Sequence, residues 1–244
     1  MNARILLLGM MANVPAAVCA EPTKVVVRVI SADAKFVGDH TGGAKITIRA
    51  VKSGRTLAQG VTKGGTGDTN RIMEAAGRNP LIQTAEAASF TAMIDIDRPT
   101  LVELEAEGPL KRQSSIVHVR SQRWIMPGQA VDTANGWMVE LPGLAITPTV
   151  SRADAGLSIE ATVELMCGCP ITPDGNWKSE DYKVSASIWN EGKMLTSTPL
   201  AFVSSPGGFA GTIRSVPKGA TRVVVFALND RTGNSGLVES PVPR

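Results

Sequence analysis

The stretch LSIEATVELMCGCP, residues 157–170, alternates cleanly for nine residues and then runs into two cysteines separated by one glycine. Leu157, Ile159, Ala161, Val163 and Leu165 fall on one side of an extended chain, and Ser158, Glu160, Thr162 and Glu164 on the other. This period of two is the pattern of a strand with one face in a core. Continued, it places Cys167 and Cys169 on the core side and Met166 on the opposite side. Pro170 and Pro173 then stop any ladder, because neither can donate a backbone hydrogen bond. The stretch therefore predicts a strand that ends in a thiol pair at the open end of a β-sandwich.

The same style recurs along the chain. KVVVRVI (24–30), AKITIRAV (44–51), LAQGVT (57–62), SFTAMIDID (89–97), TLVELEAEG (100–108), IVHVRSQRWIM (116–126) and GWMVELPG (136–143) read as strands. After residue 157 come YKVSASIWN (182–190), FAGTIRSV (209–216), TRVVVFALND (221–230) and an edge strand LVESPV (237–242). Short strands at this spacing, broken by glycine-rich turns, predict an all-β chain of two consecutive antiparallel β-sandwich domains. The punctuation in LPGLAITPTVSRADAG (141–156) sets the boundary, giving a first sandwich over 21–145 and a second over 150–244. Residues 143–152 read as a hinge-like joint. The long stretch 63–88 reads as a loop with one or two helical turns ended at Gly77.

Two resemblances refine the class. AKITIRAVKSGRTLAQGVT (44–62) resembles transthyretin-like and carboxypeptidase-regulatory-like sandwiches in its turn between strands, which implies a Greek-key sandwich and no site. The second half resembles immunoglobulin-like domains in its number of strands, without their cysteine pair between sheets.

The first twenty residues, MNARILLLGMMANVPAAVCA, have an early Arg4, an apolar middle and the small residue Ala20 before Glu21. They read as a secretory signal peptide cleaved before Glu21, which makes the protein exported, either periplasmic or secreted. A lipoprotein signal ending at Cys19 needs a small residue before the cysteine, and Val18 does not fit. No apolar run is long enough to span a bilayer. With 25 Lys and Arg against 22 Asp and Glu, and no basic run, the chain offers no footprint for nucleic acid. Aromatic residues at 4% argue against a sugar-stacking cleft.

Cys19 leaves with the signal, so Cys167 and Cys169 are the cysteines that remain. Three chemistries fit them. A local disulfide suits an oxidising compartment. On an ideal strand the two Cα atoms lie ~6.6 Å apart, the upper edge of what a disulfide bridges, and Gly168 permits the bend that brings them closer. Closing three residues contributes only ~1.6 kcal/mol in the chain-entropy account, against ~3 kcal/mol for fifteen. A soft-metal site is the second chemistry: two same-side thiolates suit Cu(I), with Met166 as a third ligand if the glycine turn rotates it. Thiol–disulfide exchange is the third, although no thioredoxin-like pattern surrounds the pair. Trp177, in the loop that follows, is the candidate lid. His40 reads as a solvated turn residue and His118 as an ordinary strand residue. No Ser, His and Asp set forms a hydrolase triad. The sequence therefore predicts a non-enzymatic binding or accessory protein with a candidate Cu(I) site at Cys167, Cys169 and Met166. Its alternatives are an interaction module whose CGC is a local disulfide, and a thiol-exchange protein. An unidentified protein partner is expected.

Overall fold

The computed structural model describes residues 21–203 and 206–243. The expected signal peptide, residues 1–20, lies outside the described residues. Fourteen strands follow one another: β1 (Thr23–Ser31), β2 (Lys45–Ala50), β3 (Thr56–Val61), β4 (Phe90–Ile94), β5 (Thr100–Gly108), β6 (Val117–Ile125), β7 (Trp137–Leu141), β8 (Leu144–Ala153), β9 (Gly156–Leu165), β10 (Tyr182–Asn190), β11 (Lys193–Phe202), β12 (Gly208–Ile213), β13 (Arg222–Asn229) and β14 (Ser235–Pro241). The described chain is almost entirely β, its sheets layered as β-sandwiches.

In the N-terminal lobe, a sheet of order β4-β1-β7 faces a sheet of order β3-β2-β5-β6. Their inward positions, among them Val25, Val27, Val29, Ile46, Ile48, Val102 and Leu104, are fully buried in one cluster. Outward positions of β2, β5 and β6 carry charge instead, and the registers set opposite signs across the ladder: Lys45 faces Glu107, and Glu105 faces Arg120. One pairing departs from the antiparallel expectation. β1 runs parallel to β7, Val27 opposite Trp137 through Ser31 opposite Leu141. Those strands are the first and last of the lobe, so a long connection is available to make them parallel.

In the C-terminal lobe the strands follow the order β14-β13-β10-β11-β12-β9-β8. β11 belongs to both layers: Lys193 through Leu200 pair with β10, and Ala201 and Phe202 pair with β12. A strand that changes sheet in this way turns one ladder into the two faces of a sandwich. Gly236 of β14 lies so close to Leu144 of β8 that a Cβ there would meet the Leu144 carbonyl oxygen. The two ends of the strand order therefore come together.

Two segments differ from the sequence reading, and a third only in where its helical turn ends. The expected hinge is a strand: β8 pairs with β9 along its whole length, from Leu144 opposite Leu165 to Ala153 opposite Gly156. Its Pro148 and Thr-rich pattern disguise it. β8 ends the strand order, so a proline there breaks no second ladder. β11, KMLTSTPLAF, gathers its apolar residues at its two ends around Thr196, Ser197, Thr198 and Pro199, which hides any period, and Pro199 sits before the ladder to β12 begins. Within 63–88 one short helix forms, α1 (Thr69–Met73), capped by the Asp68 carboxylate accepting from the Arg71 N–H. It ends before Gly77. This segment lies over a small third cluster formed by Ile30, Phe36, Ile82, Ala87 and Ala88.

Tyr182, the sole tyrosine, is buried at the start of β10. Burial pushes its hydroxyl up to about 12, against the opposing pull of the Asn229 side chain. The folded state thus holds its proton where the unfolded chain, with a pKa of about 10, has lost it. Stability contributed by the neutral hydroxyl is full below pH ~10 and falls as pH rises toward 12. Ultraviolet absorbance titration of the native protein should show the phenol ionising near pH 12. In denaturant the same transition should move to about pH 10.

Candidate functional site: the CGC turn and the joint between lobes

At Leu165 the chain leaves β9 and doubles back. The Gly168 N–H donates to the Leu165 carbonyl at 2.7 Å, closing a tight turn, and Glu164 bridges to Pro170 on the return. Gly168 has φ +77°, a left-handed conformation that side chains disfavour. This bend shortens the Cys167–Cys169 Cα separation to 5.4 Å, and the two are joined as a disulfide. The disulfide thus lies within the turn, spanning Gly168, and Met166 immediately precedes it.

The sandwich end that carries this turn is not open. Cys167 is fully buried and Cys169 is 4% exposed, because loops of the N-terminal lobe cover them. The contacts are specific. Met166 donates its N–H to the Ser31 hydroxyl at 3.1 Å. Trp177 donates its indole N–H to the Asp33 carbonyl at 2.8 Å. His40 and Thr41 press on Gly168 so closely that a Cβ there would fall 2.8 Å from the Thr41 methyl and inside the His40 ring contact. Further out, the Ser115 hydroxyl accepts from the Ile146 N–H at 3.0 Å, and Arg112 pairs with Glu164. Asn234 brackets Gly143, accepting from its N–H at 2.7 Å and donating to its carbonyl at 3.2 Å.

Apolar packing crosses the joint in both directions. Met166 and Ala145 belong to the core of the N-terminal lobe, and Ala34 belongs to that of the C-terminal lobe. The Met166 terminal methyl lies against Gly143, where a Cβ would come within 2.7 Å of it. Burying such a side chain contributes about 1.5–3 kcal/mol relative to leaving it exposed.

The sequence-predicted residues are therefore separated rather than gathered. Cys167 and Cys169 share the C-terminal core with Trp177, which is buried and hydrogen-bonded across the joint. A lid at Trp177 would have to break that bond. Met166 packs in the N-terminal core, whereas the two cysteines pack in the C-terminal one. Among the described residues no three of His, Cys, Asp and Glu gather to hold a metal ion. The donor set does not fit a soft cation while the sulfurs are bonded to each other. His118 stands half-exposed on β6 with its Nδ1 3.6 Å from Glu105, outside any pocket with the cysteines.

Sequence reasoning missed Ser31, Ser115, Asn234 and the approach of His40 to Gly168. Hydroxyls and amides that bridge lobes carry no period. The one available signal was the glycine in CGC, whose backbone freedom is needed here for a turn pressed against another part of the chain.

Comparison with protein-family models gives no match, and comparison with curated proteins gives none. The solved structure of bovine butyrophilin is similar over 92% of this chain and 97% of that chain, at 12% sequence identity and a TM-score of 0.27. The architecture described above rests on the sheets themselves.

Gly168→Ala should destabilise the protein by about 2 kcal/mol or more, combining left-handed strain with the collision. Adding His40→Ala should recover the part due to the imidazole and leave the backbone part. Urea denaturation of the two single variants and the double variant measures both. A neutral Gly168→Ala would contradict this turn.

Proposed function

We propose that the protein is an exported, non-enzymatic binding or accessory protein whose CGC is a local structural disulfide. One observation carries the reading: the only reactive pair left after export is joined and buried at the joint. An attacking thiolate must reach a disulfide sulfur for exchange to occur, and neither cysteine is more than 4% exposed. A Cu(I) site would need these sulfurs reduced and a further ligand brought beside them. Neither requirement is favoured by the packing around Met166 and His40. Two sandwiches fixed to each other present sheet faces and loop ends in a constant relative orientation. That suits recognition of a protein partner better than turnover of a substrate.

Export predicts that the mature protein begins at Glu21, as N-terminal sequencing of the exported form would show; a lipid on Cys19 would contradict it. The intact mass of the purified mature protein should lie two hydrogens below the fully reduced mass, without metal. It should not accelerate thiol–disulfide exchange in a glutathione buffer above a Cys167→Ser, Cys169→Ser double variant. A reduced, copper-bearing mass would restore the metal reading. Exchange activity lost in the double variant would make the protein an oxidoreductase.

A further inference from the structure

The end of the N-terminal lobe farthest from the joint gathers the β2–β3 turn, the β4–β5 connection and the end of β6. Loops collected at one end of a sandwich are a common place for recognition, because the sheets hold them rigidly. Between them lies a groove of about 650 Å³. Ala50, Ile96, Leu101 and Trp124 supply apolar lining, and Asp97 and Arg98 line it as well. Lys52 and Arg55 stand on its rim.

Trp124 differs from the other tryptophans. Trp137 donates its indole N–H to Ser121, Trp177 to the Asp33 carbonyl, and Trp189 to Ser187. Trp124 has no such partner among the described residues and is 69% exposed. An indole has both a large apolar face and a donor, and here both are unused.

The cations at the groove are also distinct. Along the neighbouring sheet face, Lys45 pairs with Glu107, while Arg49 and Arg120 both pair with Glu105. At the groove, Arg98 is held by the adjacent Asp97 in two hydrogen bonds. Lys52 and Arg55 make no close ion pair among the described residues; the Arg55 guanidinium donates to the Asp95 carbonyl, and the Asp97 carboxylate, already held by Arg98, is its nearby acidic neighbour. The groove is therefore an apolar slot with an unused N–H and a positive rim. The outer face of β13 and β14 also exposes Phe226 and Leu237, but Arg222 there is already neutralised by Glu239, so its charge selects no occupant.

We infer that this groove binds an acidic peptide segment of a partner protein, with an apolar side chain against Trp124 and a neighbouring carboxylate between Lys52 and Arg55. The inference rests on the binding reading above and gives that reading a site. Carboxylates complement the unpaired cations, and the apolar lining requires more of the ligand than charge alone.

The test uses the whole mature protein and a capped hexapeptide alternating glutamate and leucine, followed by tryptophan fluorescence and titration calorimetry. Binding should weaken about tenfold or more in Trp124→Ala, as expected of a central aromatic anchor. It should weaken several-fold in Lys52→Ala and Arg55→Ala, and in high salt. Because Trp124 is exposed, its variant should melt at the wild-type temperature, which separates lost binding from lost folding. The inference is overturned if a glutamine–leucine peptide binds equally well, if Trp124→Ala retains full affinity, or if anionic phosphatidylglycerol vesicles bind and the peptide does not. Failure of the peptide with a metal-free, disulfide-intact and exchange-inactive protein removes this site alone. A copper-bearing or exchange-active protein removes the binding reading as well.

Discussion

The side chain of Met166 ends in a core that belongs to the other lobe. That crossing constrains much of what surrounds it. For the methionine to reach across, the chain must leave β9 at Leu165, turn within a few residues and return at Pro170. Only a glycine tolerates the backbone at position 168 with the His40 ring and Thr41 pressed against it. The cysteines on either side of that glycine are joined within the turn. A three-residue disulfide loop contributes little as a restraint on the unfolded chain. Its restraint is local instead, acting on the backbone about Gly168 directly after Met166.

The polar groups at the joint follow from the same crossing. A turn inserted between two sandwiches carries backbone N–H groups away from water, and each needs an acceptor. Ser31 serves the Met166 N–H, Ser115 the Ile146 N–H, and Asn234 the Gly143 N–H. The loop that supplies Ser31 also supplies the Asp33 carbonyl that fixes Trp177. At the opposite end of the N-terminal lobe, the exposed Trp124 lies on one groove with Lys52 and Arg55. Elsewhere on that lobe the outward charges are largely spent on each other. Glu105 is the clearest case, its carboxyl held below the usual range by hydrogen bonds from Arg49 and Arg120.

Much of the fold was legible because burial imposes a period. TLVELEAEG and YKVSASIWN alternate without interruption, and they form β5 and β10. β8 and β11 were not legible. Each contains a proline and a run of Thr and Ser, and each sits where a ladder ends or changes sheet, so the usual penalties against those residues are relaxed. The candidate site was legible in its chemistry but not in its surroundings. Alternation placed Cys167 and Cys169 toward one core and Met166 away from it, and the glycine permitted closure. What covers that end of the sandwich depends on residues more than a hundred positions away, such as Ser31 and His40. No local pattern reports such a distance. Trp124 was invisible for a related reason: within IVHVRSQRWIM nothing distinguishes an indole packed on a sheet from one left in solvent.

The central claim is that the CGC turn, by placing Met166 in the opposite core, makes the two lobes one cooperative body. Scanning calorimetry tests it most directly. The intact protein should unfold in a single transition whose calorimetric and van't Hoff enthalpies agree. Met166→Ala, which removes the crossing side chain at a cost of about 2–5 kcal/mol, should split that transition or broaden it so that the enthalpies no longer agree. Two independent transitions in the wild-type protein, unaltered in number and separation by Met166→Ala, would contradict the account.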